Sequence, residues 1–380
     1  MFAPHAATGH NAPMKMMSQA ADGAADVFED ALADGLPDHG FWSAPAVVAV
    51  SGGADSVGLL LGLQALTARR LVPSRLVVAH ARHDLRTEAA ADADAVAALA
   101  AAVGVPCVVR SLGGRRADGV RGEGVEGRAR RIRYAFLTEV ARDHGARAVL
   151  VGHTADDQAE TILHRCLRGT GLGGLAGMAR ARPLADGLTL LRPLLGVSRR
   201  AVRDYVARRG QAWCEDATNA DVRFARNFLR HRILAGCEAG PYPAASAALV
   251  RLGEQAAGAA AALRSAAEHL LATHARHQAD GSIVLHARPL ARLDAHLLGE
   301  VWVGLWQREG WPRRDMSARH YRRLVSLLRR AGDGDASATR AGPPAAAIDL
   351  PGGVHARLGA DGMLVVARGT GQTVPPASHA

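Results

Sequence analysis

The chain is short of lysine, aromatic residues and cysteine, and each shortage narrows what it can be. Lys15 is the single lysine, so the basic side of the composition is arginine. The four cysteines, Cys107, Cys166, Cys214 and Cys237, lie far apart and form no C-x-x-C pair. That argues against a zinc ribbon, an iron–sulfur site or a disulfide scaffold, and so few cysteines suit a reducing cytoplasm. No uninterrupted apolar run reaches membrane-spanning length. The opening M-F-A-P-H-A-A-T-G-H lacks the charged start and apolar core of a secretion signal. A soluble, cytoplasmic protein without a membrane partner is expected.

What is present points towards a polyanion. With 380 residues there is length for two or three domains, and the net charge of +10 favours nucleic acid as a partner. Compositional bias of the source accounts for part of that excess. Arginine nevertheless suits phosphate, because its planar fork donates two hydrogen bonds at once.

The chain is organised around V-V-A-V-S-G-G-A-D-S, residues 47–56. Four apolar residues, three of them β-branched, make a short buried strand. Ser51, Gly52 and Gly53 form a turn whose backbone can approach a ligand closely, and the run after Ala54, Asp55 and Ser56 resumes at helical spacing. A strand, a Gly-rich turn and a helix N-terminus together make an anion site. The Walker form needs a lysine here. This turn carries Asp55 instead, and a carboxylate beside phosphates suggests Mg²⁺ between them.

Residues 1–40 read as an N-terminal extension, small, polar and disordered over the first 20 and helical over 21–36. Apolar runs at 75–80, 106–110 and 148–151 predict three further strands, with helices over 88–103 and 125–144 between them. The alternation implies an α/β fold with a doubly wound parallel sheet over 41–236, whose ligands sit at the carboxyl ends of the strands. The G-T-G-L-G-G-L-A-G stretch, 169–177, reads as a flexible flap or a linker, and 198–209 as a helix. Beyond residue 240 the composition becomes Ala/Leu-rich. A second, mostly helical domain is expected over 240–335, with arginines along one side of a helix at 316–330, then a β-hairpin over 345–370.

In H-T-A-D-D-Q-A-E-T, Thr154 can cap a helix whose first turn holds Asp156 and Asp157. Capping accounts for those acids but not for His153, nor for Glu160 one turn beyond Asp157. Two carboxylates and an imidazole at a strand end could hold a cationic amine or a metal. His80 ends the second strand, and His83 and Arg86 leave it at the same edge. Arg130 and Arg133 share a helix face, and Arg226 and Arg230 lie one turn apart, within reach of phosphate.

S-G-G-A-D-S resembles the pyrophosphate-loop (PP-loop) signature of enzymes that split ATP into AMP and pyrophosphate. The ordered series S-G-G-A-D-S, H-A-R-H-D-L-R, E-G-R-A-R-R-I-R-Y, G-H-T-A-D-D-Q-A-E-T-I-L, R-G-T-G-L-G-G-L-A-G-M, R-P-L-L and W-C-E-D-A-T-N-A-D-V-R-F-A-R-N-F-L-R resembles the tRNA(Ile)-lysidine synthetase family over residues 45–235. The resemblance implies the adenine nucleotide alpha hydrolase-like fold, ATP and Mg²⁺ as cofactors, and tRNA(Ile) with a CAU anticodon and L-lysine as partners. It leaves room for a homodimer. It implies that Ser51, Gly52, Gly53, Ala54, Asp55 and Ser56 cradle pyrophosphate with Asp55 at the metal. His80, Arg86, Arg130 and Arg133 would serve the nucleotide. Asp55, His153, Asp157, Glu160 and Arg226 would form the catalytic set. A tRNA thiolase of the same superfamily would want paired cysteines, a small-molecule synthetase would not need the basic charge, and a non-catalytic RNA-binding protein would not need Asp55.

Overall fold

The computed structural model describes residues 26–38, 41–72, 75–82, 89–112, 125–215, 221–332, 347–359 and 363–369. The chain divides into two compact units: Met1–Glu160 with Met178–Gly236, and Thr161–Gly177 with Cys237–Ala380. The expected disorder of the first 20 residues, and the expected roles of His83 and Arg86, lie outside the described residues.

In the first unit, α1 (Val27–Asp34) precedes β1 (Ala46–Ala49), and α2 (Ala54–Ala68), β2 (Leu76–Arg82), α3 (Ala89–Ala102), β3 (Cys107–Ser111), α4 (Val125–Asp143) and β4 (Ala148–Val151) follow. β5 (Ala181–Ala185) and β6 (Leu188–Leu191) complete a six-stranded sheet in the order β3-β2-β1-β4-β6-β5. All neighbours pair in parallel except β5 with β6. That hairpin is absent from the sequence-based expectation, although Asp186-Gly187, with Gly187 at φ 65°, is a sound hairpin signal.

Alternation along β1 sends its side chains to two cores. Ala46, Val48 and Val50 pack with Leu59, Leu60 and Leu63 of α2 on one face. Val47 packs with Val149 and with Phe136, Leu137 and Val140 of α4 on the other. A sheet covered on both faces needs apolar residues at nearly every central position, which is why its strands read as continuous apolar runs. α1 belongs to this core: Phe28 stacks on Tyr205 at 4.1 Å between ring centroids, and buried Glu29 accepts a hydrogen bond from the Tyr205 hydroxyl at 3.0 Å.

β1 lies between β2 and β4, so the strand order reverses beside it, where ligands bind in such sheets. The carboxyl end of β1 feeds residues 51–53, and that of β4 feeds Gly152 and His153 ahead of α5 (Ala155–Leu167).

In the second unit, α6 (Leu172–Leu175) is a one-turn helix tied down by Arg165, whose Nη1 donates to the Gly174 and Gly177 carbonyls at 2.9 and 2.6 Å. The stretch expected to be a flap or linker is therefore a hydrogen-bonded element. Closing the first unit's sheet region are α7 (Arg199–Arg208) and α8 (Ala225–Phe228), and α9 (Ala235–Ala239) leads to α10 (Ala245–His274). Beyond it come β7 (Ala275–His277), β8 (Ile283–His286), α11 (Ala287–Leu290), α12 (Ala295–Arg308) and α13 (Ala318–Gly332). The expected terminal hairpin becomes three strands, β9 (Ala347–Leu350), β10 (Val354–Leu358) and β11 (Met363–Arg368). These join the earlier pair in an antiparallel sheet, β7-β8-β11-β10-β9. The second unit is thus helical with a five-stranded sheet, around a core that includes Trp302, Trp306, Leu324 and Leu328. Arg319, Arg322, Arg323 and Arg330 line a groove of about 460 Å³ beside Ile348.

Among the described residues, no helix is long and apolar enough to cross a membrane.

Candidate active site

The turn after β1 is built by its own side chains. Gly52 adopts φ +94°, a conformation that a residue with a Cβ rarely takes. Its carbonyl accepts a hydrogen bond from the Cys214 amide at 2.9 Å. Ser56 Oγ accepts from the Ser51 amide at 3.1 Å and donates to the Gly53 carbonyl at 2.9 Å, while the two serine hydroxyls stand 3.2 Å apart. Gly53 caps α2 without a side-chain bond, so Ala54 and Asp55 open the helix with amides free for an anion. Gly152 holds the β4 end against this turn: a Cβ there would sit 2.8 Å from the Asp55 carbonyl oxygen.

Beside the loop, three carboxylates converge on one guanidinium. Arg199, the first residue of α7, places Nε 3.2 Å from Asp55, Nη2 2.7 Å from Asp157 and Nη1 3.5 Å from Glu160. Its backbone amide donates to Asp156 at 2.8 Å. Arg230, in a π-helical turn over Leu229–Leu234, donates twice to Glu160, at 2.6 and 3.1 Å. Such turns often mark functional positions. Glu160 is 1% exposed. Asp157 also accepts from the Thr154 amide at 2.9 Å and from the Thr154 hydroxyl at 3.1 Å, the back-reaching half of a capping box.

The electrostatics follow from this packing. Burial alone would raise the Asp157 pKa, but Arg199 and the Thr154 amide reverse that and hold it below the ordinary carboxylate range. Burial does raise Asp55, against the opposing pull of Arg199. The Asp55 Oδ1 atom is buried without a hydrogen-bond partner. His153 is pushed down to about 4 by burial, helped by Arg192, Arg130 and Arg226 and opposed by Asp157, so its imidazole is neutral at pH 7. Its Nδ1 is also buried without a partner. Cys214 is pushed up to about 11 by burial and by a hydrogen bond with Asp92, which keeps it a thiol.

Residues 29–236 match the family model described as a PP-loop domain. A tRNA(Ile)-lysidine synthase from Rhodopirellula baltica is 34% identical over 313 residues, covering 74% of this chain and 79% of that protein. The synthase from Ralstonia nicotianae is 44% identical over 225 residues, 59% of this chain and 47% of its own length. One from Thermus thermophilus is 44% identical over 212 residues, 55% of this chain and 39% of its own length. The chain belongs to the tRNA(Ile)-lysidine synthase family. It spans about half the length, or less, of the Ralstonia and Thermus relatives.

Within this lysidine synthase family chain, Ser51–Ser56 and Asp55, Asp157 and Glu160 are brought together, as the motifs suggested. His153 adjoins Asp157 and stands within electrostatic reach of Arg130 and Arg226. Arg133 is an exposed residue of α4. His80 is 4% exposed and its Nδ1 bonds the Val50 carbonyl at 2.8 Å, fastening β2 to the root of the loop. The larger difference concerns the acidic pair. Asp157 and Glu160 were read as able to hold a cationic amine or a metal, and in this structure both are covered by Arg199 and Arg230. Arg199 gave no sequence signal: R-R-A-V-R-D-Y-V-A-R-R reads as the solvated side of a helix, and only the fold turns its first residue inward.

Proposed function

We propose that this chain makes lysidine in tRNA. The C2 oxygen of the wobble cytidine in a CAU-anticodon tRNA(Ile) attacks the α-phosphorus of ATP, and pyrophosphate leaves. The ε-amine of free L-lysine then attacks C2, and AMP leaves. The observation that carries this reading is the identity spanning 79% of the Rhodopirellula synthase, with the PP-loop turn intact.

The residues fit the roles. The free amides of Ala54 and Asp55 would hold the departing pyrophosphate at the positive end of α2. The buried, unpartnered Asp55 Oδ1 suits Mg²⁺. Among the described residues no group of three or more metal-ligating side chains exists. Asp55 would therefore hold the ion together with phosphate oxygens, as Mg²⁺ sites on nucleotides commonly do. When bound, the ion neutralises charge on the phosphates. Neutral His153 would offer an imidazole within electrostatic reach of Asp157 on one hand and of Arg192, Arg130 and Arg226 on the other. An ammonium group entering at Asp157 and Glu160 would have to turn a guanidinium aside, so lysine and Arg199 compete for the same oxygens. We place this chemistry in the cytoplasm, where free lysine, ATP and tRNA meet.

ATP–pyrophosphate exchange, measured with and without the CAU tRNA, tests the reading. Exchange that depends on that tRNA, followed by AMP release only when lysine is added, is expected. Exchange driven by a small molecule without tRNA would replace the substrate assignment.

A further inference from the structure

Beyond the carboxylates, the first unit gathers charge of the opposite sign. Tyr134 on α4 has the Arg130 guanidinium 5.0 Å and the Arg182 guanidinium 5.1 Å from its ring centroid. Arg192 is 3% exposed at the end of β6. Its amide donates to the Arg180 carbonyl at 2.8 Å and its Nη1 to the Ala179 carbonyl at 2.6 Å. Its Nε is buried with no partner. Among the described residues, the principal groups acting on it are the Tyr134 hydroxyl, which also hydrogen-bonds the guanidinium, Arg182 and Arg130, with no carboxylate among them. Arg192 also acts on His153, whose Nδ1 is the other unpartnered nitrogen here.

A buried guanidinium is costly unless an anion and hydrogen bonds complete it. The described acids on this side of the fold are already engaged: Asp55, Asp157 and Glu160 face Arg199 and Arg230. Among the described residues, three guanidinium groups thus stand around Tyr134 with no carboxylate to complete them, one of them buried with an idle donor, and an oxyanion from outside the chain would complete them. Its geometry suits phosphate, whose several oxygens can accept from more than one fork. We infer that Arg130, Arg182 and Arg192 form a second phosphate site, separate from the loop at residues 51–56. The inference rests on the adenylation reading above, which offers two sources of the group. These are the α-phosphate of the nucleotide and the RNA phosphodiester beside the reacting base.

The test uses the full chain and the partly exposed Arg182, with Arg182→Gln and Arg182→Lys, and adds Arg192→Lys at the buried position. ATP affinity and anticodon stem-loop affinity are measured separately, the latter across a salt series. Loss of one charge-assisted contact of about 1.5–3 kcal/mol weakens its ligand by about 10- to 150-fold. If RNA binding falls and its salt slope drops by about one while ATP affinity holds, the site takes the phosphodiester. If ATP affinity falls and RNA binding holds, it takes the nucleotide. Arg182→Lys should recover part of the binding in either case, and melting temperature should stay within about 2 °C for the Arg182 variants, since surface changes are usually within about 0.5 kcal/mol. Unchanged affinity for both ligands overturns the inference. So does a defect seen only in the lysine requirement and absent when cadaverine, which lacks the carboxylate, replaces lysine. The ATP and stem-loop affinities are binding measurements, so absence of tRNA-dependent exchange in the wild-type protein would count against the function and not against the phosphate site.

Discussion

Replacing Arg199 with Met should destabilise the first unit substantially, because one guanidinium there answers three carboxylates. The side chain is 17% exposed, and those of Asp55, Asp157 and Glu160 are 23%, 14% and 2% exposed. Removing one partner of a buried ion pair costs about 3–5 kcal/mol, since the charge left behind remains desolvated. The low end applies, because Arg230 still covers Glu160 with two hydrogen bonds. About 3 kcal/mol at about 2–4 °C per kcal/mol corresponds to a fall of about 6–12 °C in melting temperature. The pH dependence identifies the cause. Arg199 helps hold Asp157 below its usual range, so the stabilisation is complete above the unfolded carboxylate value and is lost as pH falls through the depressed folded one. Scanning calorimetry should therefore show a gap between wild type and variant that is wide at pH 7 and narrows below about pH 4. Adding Asp157→Asn to the variant should recover part of the loss. A gap under about 2 °C at pH 7, or one that stays constant down to pH 3, would refute the ion-pair account.

His153 gives a second pH test. Its folded value near 4 lies below the ordinary histidine value of 6.5, so the unfolded chain takes up a proton first and stability falls as pH drops through that window. Between pH 6.5 and 5 this amounts to about 2 kcal/mol, and His153→Asn should remove that portion of the acid slope in urea unfolding. In the second unit, changing Arg319, Arg322 and Arg323 together to Ala should weaken tRNA binding and flatten its salt dependence, each lost phosphate contact lowering the slope by about one. ATP affinity should not move, and an unchanged slope would make this groove a solvated face.

The sheet was legible because a strand buried on both faces has to be apolar nearly throughout, as β1, β2 and β4 are, while the partly exposed edge strand β3 still carries an apolar run at 107–109. β5 and β6 were not, since the edge strand A-R-P-L-A mixes arginine and proline with its apolar residues and L-T-L-L is interrupted by a threonine. The loop was legible from Gly52, whose left-handed backbone leaves a mark in the residue type. The acidic cluster was legible as residues but not as a network. Spacing along α5 places Asp157 and Glu160 on one face, yet it carries no information about which cation arrives from another element. Arg199 comes 42 positions after Asp157 and Arg230 comes 70 after Glu160. Arg192 was hidden for a related reason: its neighbours Tyr134 and Arg182 come from α4 and β5, and only the folded sheet sets them side by side.

The cations described in this site are all arginines, and under the proposed lysidine chemistry that has a consequence for what the protein would have to avoid doing to itself. In that chemistry an activated cytidine would be an electrophile waiting for a primary amine. A lysine at position 192 or 199 could lose its proton when buried and attack that carbon, leaving the enzyme covalently joined to its own substrate. Guanidinium stays protonated at any physiological pH, and Arg199 is held more firmly still because Asp157, Asp55 and Glu160 outweigh the effect of its burial. The positive charge needed to gather phosphates is thereby supplied by groups that are chemically mute towards the intermediate. In the proposed chemistry, the amine that reacts would then have to come from solution.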